Sequence, residues 1–117
     1  MNGAERRRYP RYAIDGLQGL LQGGHPLHLL RLSQGGMLAT SSFEPRLESI
    51  VQFELHLPDA RVRSAGRVAF VGPDTQDPGR RWHRIGLEFT AMGQRSRRAL
   101  LDYLNAAVAA GRAQVTP

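Results

Sequence analysis

The chain contains no cysteine, no lysine and only one tryptophan, and it has no long apolar run. Without cysteine there can be no disulfide, no thiolate metal site and no cysteine nucleophile. No stretch approaches the roughly 18 consecutive apolar residues of a membrane-spanning helix. The first ten residues, MNGAERRRYP, carry no apolar run after their charges, so a secretory signal is not expected and the expected location is cytoplasmic. Aromatic residues make up 7%, too few for a platform on which successive nucleic-acid bases could stack. What remains is 117 residues, 41% hydrophobic and 22% charged. That is the length and composition of one ordinary globular domain, too short for a two-lobed enzyme.

The absence of lysine means that all 16 basic residues are arginine, against 10 acidic residues, for a net charge of +6. GC-rich coding accounts for most of the exchange of Lys for Arg, but not for where the arginines fall. Arg6, Arg7, Arg8 and Arg11 lie in the first eleven residues, Arg80, Arg81 and Arg84 form a second group, and Arg95, Arg97 and Arg98 a third. Guanidinium is a planar fork that grips phosphate through two bonds and stacks on rings. Clustered arginine on a net-positive domain points to an anionic partner.

The patterning is that of short strands. Residues 12–21 carry apolar side chains at roughly alternating positions, and Gly23-Gly24 turns the chain into a second strand over 27–32. Ser33-Gln34-Gly35-Gly36 is the next turn, and 37–40 returns as a third strand. Val51, Phe53, Leu55 and Leu57 alternate with polar residues, so that strand buries one face. Residues 62–71 form a longer strand bent at Gly66, 72–79 a loop, and 82–89 the last strand. From Gln94 the period changes. Arg97, Leu100, Leu101, Leu104, Ala107 and Val108 mark a helical stripe, which Gly111 ends. The expected fold is all-β with a C-terminal helix, a small antiparallel barrel. The expected organisation is a flexible basic arm (1–9), the barrel (10–92), then helix and tail (93–117).

No catalytic set can be assembled. There is no HExxH, no GxxxxGK phosphate loop and no serine elbow between a strand and a helix. His25, His28, His56 and His83 are scattered, and His25 and His28 would face opposite sides of a strand, so no metal is expected. Asp74 and Asp77 lie among turn residues and read as solvated. The chain reads as a non-enzyme with no cofactor.

Two segments remain. In Arg7-Arg8-Tyr9-Pro10-Arg11, Pro10 biases Tyr9 toward extended backbone. Arg7 and Arg11 then lie roughly 13 Å apart, a distance from which long side chains can converge on one dianion. A solvated basic tail accounts for this segment equally well. Ser33 at a strand end, followed by glycines, makes a turn whose hydroxyl and amides can meet a phosphate or a base edge. A plain turn accounts for that segment too.

Together these segments resemble the PilZ domain family, bacterial receptors of cyclic diguanylate (cyclic di-GMP). Arg7, Arg8 and Arg11 match its RRxxR segment, and Ser33 and Gly36 match its [DN]xSxxG motif. Residues 65–71 and 84–89 also look like the family, and a C-terminal helix follows as in many members. The resemblance implies a six- to seven-stranded antiparallel barrel. It also implies that Arg7, Arg8 and Arg11 clamp cyclic di-GMP, that Ser33 contributes a hydroxyl, and that Gly36 lets the backbone approach the ligand. One position departs from the pattern: Arg31 stands where the motif has Asp or Asn. Arginine has donors only and cannot accept from guanine N1 and N2. It can donate to O6 and N7 or stack on the ring.

The expected function is therefore a cyclic di-GMP receptor whose arm is ordered by ligand and which signals through an unidentified partner protein. Two rivals stand beside it. One is a degenerate adaptor of the same fold that binds protein but not nucleotide. The other is a small basic barrel bound to nucleic acid, which the aromatic content disfavours.

Overall fold

A computed structural model of the chain describes residues 9–77 and 79–116. Among the described residues, eight strands and one helix follow in the order β1 (Arg11–Ile14), β2 (Gln18–Leu21), β3 (His25–Leu32), β4 (Gly36–Ser41), β5 (Ile50–His56), β6 (Arg61–Pro73), β7 (His83–Ala91), α1 (Gln94–Ala109) and β8 (Ala113–Thr116). All pairings are antiparallel. The strands run β2-β5-β6-β7-β4-β3, and β3 pairs back to β2, which closes a six-stranded barrel. β1 and β8 extend the sheet beyond β3. One edge of β3 is thus divided: its first half pairs with β2 and its last two residues with β1.

The barrel is filled through period-two alternation. Val51, Phe53 and Leu55 of β5 point inward, as do Val62 and Val68 of β6 and Ile85 and Leu87 of β7. Leu21, Leu27, Leu32 and Leu55 are almost wholly buried. Each buried Leu or Val contributes about 1.5–3 kcal/mol relative to exposure. β6 is bent where expected: its register with β7 shifts at Ala65/Gly66, and again at Val68/Phe70.

Two features differ from the sequence-based expectation. The strand expected over 12–21 is two strands, β1 and β2. Gly16 takes a left-handed φ of 81° and breaks the ladder between them, so that β1 leaves the barrel for its flank. The strand ending at Phe89 is not the last, because Ala113–Thr116 forms β8 against all four residues of β1. No alternation signals so short an edge strand, since only Ala113 of its residues is buried.

α1 packs against β6 and β8 through Leu100, Leu104 and Ala107, while Val108 at the margin of the expected stripe is exposed. The helix ends as Gly111 predicts. Gly111 has φ 73°, its N–H donates to the Val108 carbonyl at 3.1 Å, and the Arg112 N–H donates to the Ala107 carbonyl at 2.8 Å. The helix start is less well provided for. Gly93 supplies no side-chain cap and the first turn holds no acid. No described helix is long and apolar enough to cross a membrane.

Candidate functional site

A groove of about 740 Å³ runs over the outer barrel face beside β1, β3, β4, β6 and β7. Strand register explains which side chains meet there. Ala13 of β1 pairs with Arg31 of β3, Arg31 with Leu38 of β4, Leu38 with Gly86 of β7, and Gly86 with Phe70 of β6. Further along the same face, Gly36 pairs with Glu88 and Glu88 with Arg67, while Arg11 and Ser33 flank the Tyr12–Leu32 pair. The first row gives the groove an apolar middle between Arg31 and Phe70. The second gives it a cationic end at Arg11 and a carboxylate at Glu88.

The turn that joins β3 to β4 forms the groove wall. Ser33 Oγ accepts the N–H groups of Gly35 and Gly36, each at 3.1 Å, and the Ser33 N–H donates to the Gly36 carbonyl at 2.9 Å. The two amides expected to be free for a ligand are therefore held by the hydroxyl expected to touch it. Ser33 braces the turn. Gly36 has a comparable packing reason: a Cβ there would overlap the Leu87 carbonyl oxygen, so any side chain would push β4 off β7. Gly35 accommodates the Tyr9 ring, which lies 3.2 Å from where a Cβ would be. The Gln34 carbonyl accepts from Arg97 of α1 at 3.4 Å. The helix start thus spends one of its arginines on the turn.

Arg11 and Arg31 both line the groove, are exposed, and have no ion-pair partner among the described residues. Arg7 and Arg8, the other two clamp residues, lie outside the described residues. Arg67 is not a free contact. Its guanidinium donates to Glu48 at 2.6 Å and to Glu88 at 2.8 Å, and these carboxylates, Glu48 first, hold it more firmly protonated than a free arginine. Glu48 makes this bond from a left-handed φ of 71°, a conformation that costs a non-glycine residue about 1–2 kcal/mol. Its N–H donates to the Val68 carbonyl at 2.8 Å, which fixes it in place.

On β5 and β6 a second group of charges is neutralised. Glu54 of β5 receives Arg63 at 2.6 Å, His56 at 2.8 Å and Arg61 at 3.0 Å. Hydrogen bonds from Arg63 and then His56 lower its pKa to about 2. Trp82 lies outside the groove, with the Arg80 guanidinium 3.2 Å above its ring and the His28 ring edge-on at 5.0 Å. Among the described residues no group of three His, Asp or Glu side chains gathers as a metal site.

Sequence reasoning did not identify Tyr9, Phe70 and Glu88 as groove residues. Glu88 and Phe70 sit in the stretches 84–89 and 65–71, but only the β4–β7–β6 register turns them toward Arg31 and Arg11. Tyr9 stands between two clamp arginines, and nothing local marks its packing on Gly35.

The PilZ domain model matches residues 5–106. No curated protein matches the chain significantly. Among solved structures, Bacillus subtilis inhibitor of motility (MotI/DgrA) is similar at TM-score 0.74 and 17% identity, over 92% of this chain and 53% of that one. The PilZ domain of YcgR from Escherichia coli, solved with c-di-GMP, is similar at TM-score 0.65 and 16% identity, over 92% of this chain and 98% of that domain. A second structure of Escherichia coli YcgR in complex with c-di-GMP is similar at TM-score 0.65 and 19% identity, over 92% of this chain and 48% of that one. The chain spans about half the length of MotI/DgrA and of the longer YcgR structure. At these identities the structural likeness bears on the fold alone. The family match covers most of the chain and rests on its sequence, and by it the chain belongs to the PilZ domain family.

Proposed function

We propose that the protein is a receptor that binds cyclic di-GMP in the groove between the Ser33–Gly36 turn and β7. The observation that carries this reading is the pair of exposed arginines, Arg11 and Arg31, at the cationic end of the groove without ion-pair partners among the described residues. A dianionic ligand is what such a pair lacks. Arg7 and Arg8 precede Arg11 by four and three residues and complete the clamp. Binding fixes the arm against the barrel face, and a partner protein reads the ordered arm. The domain acts as a binding module with no catalytic step.

Each charge-assisted contact contributes about 1.5–3 kcal/mol, less the entropy of ordering the arm. Calorimetry with cyclic di-GMP tests the reading. Saturable binding is expected at micromolar protein. A folded protein that takes up no ligand at 100 µM would sink it.

A second reading is favoured by Arg31 itself, which occupies the place of the family's acid or amide. It makes the domain an adaptor that binds protein and has lost nucleotide. Under that reading the parent protein does not bind and Arg31→Asp restores binding.

A further inference from the structure

We infer that Glu88 of β7 takes over the base-reading task vacated at position 31, accepting hydrogen bonds from the guanine N1 and N2 edge. This rests on the receptor reading above. Guanine presents donors on that edge, so a groove that reads it must offer an acceptor. Arg11 and Arg31 are donors only. Ser33 Oγ already accepts two amides. The carbonyls of the turn are engaged as well: Gln34 with Arg97, Gly35 with the Phe89 N–H, Gly36 with the Ser33 N–H. Among the described residues that line the groove, Glu88 is the one carboxylate.

Its geometry suits the task. Glu88 is paired with Gly36, so no side chain stands between it and the turn. The Arg67 guanidinium holds only Oε2, at 2.8 Å, and Oε1 has no hydrogen-bond partner among the described residues. Glu48 holds the other side of that guanidinium. The Glu48–Arg67–Glu88 chain thus aims one carboxylate oxygen while leaving the second open, and gives this end of the groove a net negative charge. Arg11 and Glu88 lie three strand spacings apart, about 14 Å along the sheet. A nucleotide spans that gap with phosphate at the arginine end and base at the carboxylate end.

The test is calorimetry of the parent and Glu88→Gln proteins with cyclic di-GMP and with its di-inosine analogue, which lacks the 2-amino groups. The parent should lose about tenfold in affinity when the 2-amino group is removed. In E88Q the single amide oxygen is taken by the Arg67 guanidinium and an NH2 donor is left toward the base, so the variant should bind cyclic di-GMP about tenfold more weakly than the parent and show little difference between the two ligands. If E88Q does not fold, Glu88→Asp keeps the charge but withdraws the carboxylate by one methylene, and should likewise blunt the discrimination. A variant that retains the full 2-amino preference, or a parent that never shows one, overturns the role of Glu88 and leaves the receptor reading intact. A parent that binds neither ligand overturns both.

Discussion

Arg61 and Arg63 converge on Glu54, whereas Arg11 and Arg31 face a groove with no ion-pair partner among the described residues. Both pairs sit on exposed strand positions and both contribute to the +6. Only the first pair is satisfied by the fold. Charge count alone does not separate the two, and position in the chain does so only for Arg11. The separating feature is the presence or absence of an acid across the strand. The matched pair ties β6 to β5, and under the proposed function the groove pair takes its counter-charge from a bound anion.

That contrast can be broken most forcefully at the groove. The triple variant R7A/R8A/R11A should bind no cyclic di-GMP detectable by calorimetry at 100 µM ligand, with the thermal midpoint little changed. A triple variant that still binds would show that these three arginines are not the clamp. Arg31→Asp comes next. It puts an acid in place of one of the two unmatched arginines and should weaken binding about tenfold to a hundredfold, from the loss of about 1.5–3 kcal/mol of charge-assisted contact. Binding gained in the variant favours the adaptor reading, and equal affinity in parent and variant would mean that position 31 does not face the ligand.

Ser33→Ala tests the turn rather than the charges. Two amides lose their acceptor, at about 1–2 kcal/mol together, and the thermal midpoint should fall by about 3–10 °C. Binding should weaken because the groove wall loosens. A variant that loses affinity at unchanged stability would instead assign the hydroxyl to the ligand.

The smallest effect belongs to the matched pair. Glu54→Gln should leave ligand affinity unchanged and lower stability modestly at pH 7. The carboxyl is held at about 2 in the folded state against an ordinary 4.5. Its contribution is therefore present above about 4.5 and fades as the pH falls toward 2. Urea midpoints of parent and E54Q should differ at neutral pH and converge across that window. A gap that persists at pH 2 would place the stabilisation elsewhere than in the ionised carboxylate.

Much of the barrel was legible because alternation is a local signal. Val51, Phe53 and Leu55 announce β5 with no help from the rest of the chain, and Leu100, Leu104 and Gly111 announce the helix and its end. β8 was not legible, since Gln114 and Val115 are exposed and the strand exists only because β1 leaves an edge for it. The candidate site divides in the same way. The motif residues fall in two short stretches of sequence, so Arg11, Ser33 and Gly36 could be singled out. Yet the work done by Ser33 and Gly36 is internal, in hydrogen bonds and a close strand approach that no spacing reveals. Glu48, Arg67 and Glu88 are joined across two strand pairings and up to 40 residues, so only the register brings them together.

β1 bears on how the protein is made. Only Tyr12 and Ala13 pair with the barrel, whereas all four of its residues pair with β8. The Thr116 hydroxyl reaches the Arg11 carbonyl across 105 residues of chain. The strand that carries Arg11 is thus completed by residues that follow α1. All six barrel strands have been made once β7 is made, whereas β1 gains its full pairing only after β8 as well. The barrel can therefore take its shape before β1 is fixed on its flank.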